Sequence, residues 1–115
     1  MDRVERLVRD YAPALLSYLG RRDEPALRSA YELGRSALVD GLSLLDLVSA
    51  HNAAVNDVVA RSRLDEVPHL VETSGTYLVE VLSSFEMARR AFQETLSNAR
   101  LGRSDAEPSE EEKGM

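Results

Sequence analysis

The chain has 115 residues, with 20 acidic side chains against 14 basic ones and a formal net charge of −6, which fits one domain and disfavours nucleic acid as a partner. It has no cysteine and only two histidines, His51 and His69, so disulfides, thiolate metal sites, a thiol nucleophile and a histidine-rich metal centre are excluded. Asp40, Asp46 and Glu80 break the apolar stretches well short of the roughly 20 residues of a membrane span, and the mixed-charge start Met1–Arg6 is no secretory signal, so a soluble, cytoplasmic protein without a membrane partner is expected.

The first predicted helix runs from about Asp2 to Leu19. Val4, Leu7, Val8, Tyr11, Leu15, Tyr18 and Leu19 recur at steps of three and four, which puts them on one stripe. Gly20 follows and can take the left-handed conformation that ends a helix. Pro13 falls inside, where it removes a backbone hydrogen bond, so a kink near Asp10 or a later start is the alternative. A second helix should open at Asp23 or Glu24, with Pro25 in its first turn where a missing N–H costs little. Its stripe is Leu27, Ala30, Tyr31, Gly34, Ala37 and Leu38, and Gly41 ends it. Ala30 and Gly34 are small and four apart, so another helix can approach closely there.

Ser43 precedes Leu44-Leu45-Asp46, a capping arrangement that satisfies free N–H groups at the start of a third helix. That helix carries Leu44, Leu45, Val48, His51, Val55, Val58 and Val59 inward and ends near Ser62. After a connection over 63–67, Pro68 opens a long fourth helix to about Ala99, with a soft spot at Gly75. Leu78, Val81 or Leu82, Phe85, Ala88, Phe92 and Leu96 carry its apolar line beyond the length of the other helices. Such a helix has surface left to bury in a coiled coil or on a partner. The expected fold is therefore all-α, a four-helix bundle with an extended fourth helix, dimeric, over residues 1–101. Residues 102–115 hold five acids against two bases and no periodicity, and are expected to form a disordered acidic tail.

Catalytic signatures are scarce. The one Glu-x-x-His spacing, Glu66 to His69, straddles Pro68, and a di-iron bundle needs two such pairs with two further glutamates. No glycine-rich phosphate loop and no nucleophile elbow occurs, so neither a metal nor another cofactor is expected. His51 admits two readings. An exposed mid-helix histidine on a bundle can accept a phosphoryl group, which makes a histidine phosphotransfer protein the alternative function. Its alignment with Val48 and Val55 favours a partly buried ring hydrogen-bonded inside the bundle. Tyr11, Tyr18 and Tyr31 read as core or rim residues with hydroxyls reaching water; lining a ligand pocket, as in a small-molecule sensor, is the rarer use. Arg89 and Arg90 alternate with Glu86 and Glu94 and read as a solvated face.

The segment Ala30-Tyr31-Glu32-Leu33-Gly34-Arg35, continued by Gly41-Leu42-Ser43-Leu44-Leu45-Asp46-Leu47-Val48-Ser49-Ala50-His51, resembles the amino-terminal domain of RsbU-type phosphatases. The run Leu82-Ser83-Ser84-Phe85-Glu86-Met87-Ala88-Arg89-Arg90-Ala91-Phe92 is similar to the end of that domain, so the likeness covers about residues 1–95. The resemblance implies a helical homodimer that binds an RsbT-type switch kinase in a stress-response partner-switching circuit, which finally frees an alternative sigma factor. It implies a docking face at the start of helix two and one side of helix four, which on this chain means Glu24, Arg28, Val79 and Ser83. Members of that family usually carry an acidic, metal-binding phosphatase domain as well. There is no room for one in these 115 residues, so a non-catalytic interaction domain is expected, either a free-standing adaptor or a fragment separated from its phosphatase; the acidic tail reads more like a natural terminus than a cut inside a coiled coil.

Overall fold

The structure, a computed structural model, describes residues 2–106. Among these residues the chain forms four α-helices and one short 3-10 turn, with no strand. Helix α1 spans Arg3–Arg21 and runs unbroken through Pro13. Asp2 caps it in a reciprocal box, its side chain accepting from the Glu5 N–H while Glu5 accepts from the Asp2 N–H, which satisfies two of the free donors at the helix start. Gly20 does not end this helix. It stays helical and exposed, and Arg22, two residues on, takes the left-handed conformation (φ 53°) with its N–H bonded to the Tyr18 carbonyl. The later stop follows from the next element, because Asp23 must sit directly behind the turn to cap α2, and Arg21 reaches across to pair with it at 3.2 Å.

Helix α2 spans Glu24–Val39, with Asp23 accepting from the Ala26 N–H and Pro25 in the first turn, as its residues predict. Past the Asp40 cap its end is closed by Gly41, whose φ of +77° is costly for any residue with a Cβ. The Gly41 N–H bonds to the Leu38 carbonyl and the Leu42 N–H to the Ala37 carbonyl, the paired closure that uses up the last free carbonyls. Leu42 is then tucked into the core. Arg3 of α1 reaches the Asp40 carbonyl at 2.6 Å, tying this corner to the start of the chain.

Helix α3 spans Leu44–Ala60 and opens on the predicted Ser43–Asp46 capping box. Its buried face differs from the predicted one. Leu47, Ala50, His51 and Ala54 point inward, whereas Leu44 and Leu45 are exposed and Val48, Val55, Val58 and Val59 only half-buried. Ala50 and Ala54 share one core cluster with Tyr11 and Tyr18, and small side chains suit a helix face that packs in a core holding large rings.

A 3-10 turn, Leu64–Glu66, leads into α4, Val67–Ala106, which is 40 residues long. It passes straight through Gly75 and beyond the predicted end near Ala99. Tyr77, Val81 and Phe85 are its core anchors, with Thr73, Ser74 and Ser84 buried beside them. From Ala91 to Leu101 every residue is exposed. The described molecule therefore measures 71 × 30 × 20 Å, with α4 projecting from the bundle. Among the described residues no helix is long and apolar enough to cross a membrane. Of the expected disordered acidic tail over 102–115, residues 102–106 continue α4, and 107–115 lie outside the described residues.

α2 and α4 form the tightest helix pair, and the predicted close approach explains it. A Cβ built on Gly34 would collide with the Val81 carbonyl oxygen and come within 2.8 Å of the Phe85 nitrogen and of Ser84 Oγ. The Ser84 hydroxyl donates to the Tyr31 carbonyl across the same contact. Backbone therefore lies nearly on backbone, and this fixes the groove described next.

A candidate docking groove between α2 and α4

Two helices that touch through small residues leave an open furrow along the line where their larger side chains diverge. Glu24 and Arg28, one turn apart at the start of α2, are exposed and line the upper part of that furrow, a cleft of about 540 Å³. Leu27, Tyr31, Glu32, Arg35 and Ser36 continue it on α2, and Glu80 faces them from α4. The Arg35 guanidinium lies over the Tyr31 ring at 5.9 Å, a cation–π contact that holds both side chains along the cleft.

Farther down, the lining turns apolar. Leu38 and Val39 of α2 meet Met87, Ala88, Ala91 and Phe92 of α4. Val39 is 82% exposed, Met87 57% and Phe92 58%. The furrow thus changes from alternating charge at its head to exposed hydrocarbon at its foot.

Val79 and Ser83 sit elsewhere. Val79 is 63% exposed and Ser83 is exposed too, but neither lines the cleft. Being four apart they share the outward strip of α4 next to Glu80. Ser83 also borders a shallow depression on the α3 side, with Leu44, Leu82, Glu86 and Arg89. The Arg89 guanidinium hydrogen-bonds Glu86 there and holds its carboxyl below the usual range. The structure therefore joins Glu24 to Arg28, and gives Val79 and Ser83 a neighbouring strip rather than the same cleft. The apolar foot at Val39, Met87 and Phe92 was not among the residues singled out from sequence. Phe92 lay on the predicted apolar line of α4, but its pairing with Val39 depends on how the helices cross.

His51 is a core residue, 7% exposed. Its Nδ1 lies 2.8 Å from the Tyr11 hydroxyl, and the two rings meet edge to face with centroids 5.7 Å apart. A phosphoryl acceptor has to present a free ring nitrogen to its donor; this imidazole is enclosed and its Nδ1 is engaged. The Tyr11 and Tyr77 hydroxyls also stay inside the bundle, with Tyr77 2.8 Å from Ser29 Oγ, and burial pushes the pKa of both phenols up. That corrects the reading of Tyr11 as reaching water and adds Tyr77, which the sequence had not marked. Tyr31, 36% exposed, does sit at the rim. His69, the other histidine, is exposed, with its Nε2 3.4 Å from an Arg22 guanidinium nitrogen.

Among known families, the one described as phosphoserine phosphatase RsbU, N-terminal domain, matches residues 9–88. The match takes in α1 from Arg9, all of α2 and α3, and the part of α4 that packs in the bundle. No curated protein and no solved structure matches the chain.

Proposed function

The chain belongs to the RsbU N-terminal domain family, the regulatory rather than the catalytic part of that phosphatase, and from this membership we propose that it is a non-catalytic docking module of a stress-response partner-switching pathway that binds an RsbT-type switch kinase. The observation that carries the reading is the open α2–α4 furrow, with Glu24 and Arg28 at its head and Val79 and Ser83 on the adjoining strip of α4. These positions lie within the span matched by the family and on two helices locked together at Gly34, so they form a rigid face. Rigidity favours affinity, because little side-chain and backbone ordering remains to be done on binding.

Charge reversal in Glu24→Lys and insertion of a carboxylate in Val79→Asp are each expected to weaken binding of a purified RsbT-type kinase about tenfold, or about 1.4 kcal/mol. Calorimetric titration reads the affinity, and circular dichroism should show both variants folded, since both side chains are exposed. Unchanged affinity in both variants would remove this face from the proposal.

The same reading includes a homodimer built along α4. Past Phe92, which still borders Leu38 and Val39 of α2, the helix is exposed at every residue to Leu101, and Phe92, Leu96 and Leu101 are 58%, 43% and 61% exposed. An isolated helix of this length is marginal in water, and pairing two copies would bury these side chains. Light scattering on a sizing column should report a dimer at micromolar concentration, and a Phe92→Glu/Leu96→Glu variant should elute as a monomer. A monomeric parent chain would refute the dimer and leave the kinase face untouched.

A further inference from the structure

A polar ladder crosses the core at one level and takes no part in the docking face. It begins at Ser29 on α2, whose Oγ lies 2.8 Å from the Tyr77 hydroxyl on α4. The Tyr77 ring meets Tyr11 of α1 edge-on, centroids 5.7 Å apart and planes at 85°. It ends where the Tyr11 hydroxyl reaches His51 Nδ1 on α3. Each of the four helices supplies one side chain, and the only ring in the ladder that can take a positive charge is enclosed.

Among the described residues, the surroundings of that ring hold no counter-charge. α1 offers it the neutral phenol of Tyr11, α4 brings Tyr77 behind Tyr11, and the charged neighbours Arg6, Arg9 and Asp10 on α1 and Asp57 on α3 all face solvent. On α4, Glu80 turns to the opposite side, into the α2 cleft. Among the described hydrogen bonds the Tyr11 hydroxyl has no acceptor except His51, so it donates to Nδ1 and the neutral ring keeps its proton on Nε2. A second proton on the ring turns Nδ1 into a donor facing a donor. The hydroxyl must then reverse, its hydrogen loses its acceptor, and an imidazolium is left in an apolar layer.

We infer that the Tyr11–His51 pair is an acid-released latch, which holds α3 on α1 while the imidazole is neutral and lets the two helices part when it takes up a proton. Burial pushes the His51 pKa below its ordinary value of 6.5. The folded chain therefore takes up this proton less readily than the unfolded chain. The stabilisation is complete above about pH 6.5 and is lost progressively as pH falls from there through the lower, folded value. Carboxylates titrate mainly below about pH 5, so the window between is clear of them.

Thermal melting of the intact chain and of His51→Gln, followed from about pH 7.5 to about pH 5.5, tests the latch. Glutamine keeps an acceptor for Tyr11 and cannot charge. The parent chain should lose several degrees of melting temperature over that range, and the variant much less; equal slopes would overturn the proposal. Should His51→Gln fail to fold, the imidazole resonances of the parent chain decide it, with His69→Gln telling the two rings apart. A His51 midpoint below 6.5 supports the latch, and one at or above that value refutes it.

Discussion

Gly34→Ala is expected to destabilise the bundle by about 3 kcal/mol, the upper end of what overpacking costs in a close-packed interior. The added methyl meets the Val81 carbonyl and the Phe85 nitrogen, and backbone cannot swing aside as a side-chain tip can. α2 must lift from α4, which also breaks the Ser84 to Tyr31 hydrogen bond and thins the packing of Ala30 and Ala37. For a domain of this size such a loss lowers the melting midpoint by roughly 10–20 °C. Gly75→Ala is the matched control. It lies in the same helix that Gly34 packs against, nothing stands within 4 Å of its added carbon, and the change should raise stability by about 0.5–1 kcal/mol through helix propensity alone. Thermal and urea melts of the two variants, read by far-ultraviolet circular dichroism, check both signs. A Gly34→Ala midpoint within a degree of the parent would mean that the helices are not in backbone contact.

Tyr77→Ala should cost more still, about 4 kcal/mol, the range found when a large buried aromatic is truncated. The ring is wholly enclosed and touches two others, Tyr11 at 5.7 Å and Tyr18 at 5.3 Å between centroids, so its removal opens a void against two rings that have little room to close it. Tyr77→Phe separates packing from polarity. It keeps the ring and deletes only the hydroxyl bonded to Ser29. The Ser29 hydroxyl retains its bond to the Ala26 carbonyl, so the loss should be about 1 kcal/mol. Denaturant unfolding of the three proteins at neutral pH gives both differences. Equal losses for Ala and Phe would show that the hydroxyl, not the ring, carries the contribution of Tyr77.

Helix starts were the most legible part of the fold, because they are written in local chemistry: Asp23 with Pro25, and Ser43 with Asp46, each act within three residues of themselves. Helix ends were less so. Gly20 looks like a stop when read alone, yet α1 continues to Arg21 because the cap of α2 lies just beyond. The inner face of α3 was misjudged for a related reason. Hydrophobicity marks Leu44 and Leu45, whereas the buried face carries Ala50 and Ala54, small residues in the same core cluster as the tyrosines of α1. Tyr77 went unmarked because Leu78 beside it fits the same stripe. At the groove, the Glu24–Arg28 pair follows from spacing on one helix and could be read in advance. The apolar foot joins Val39 to Phe92, 53 positions apart in the chain, and only the crossing of α2 over α4 brings them together.

The unbroken course of α4 turns the bundle into the short end of a lever. From Ser84, where α2 grips the helix, to Ala106 is 22 residues, or about 33 Å at 1.5 Å per residue. A tilt of roughly 10° at the grip, small for helices shifting over a flexible interface, would carry the far tip about 6 Å. An event confined to the α2–α4 furrow would then be read out as a displacement wide enough to bring together or separate whatever the tip carries.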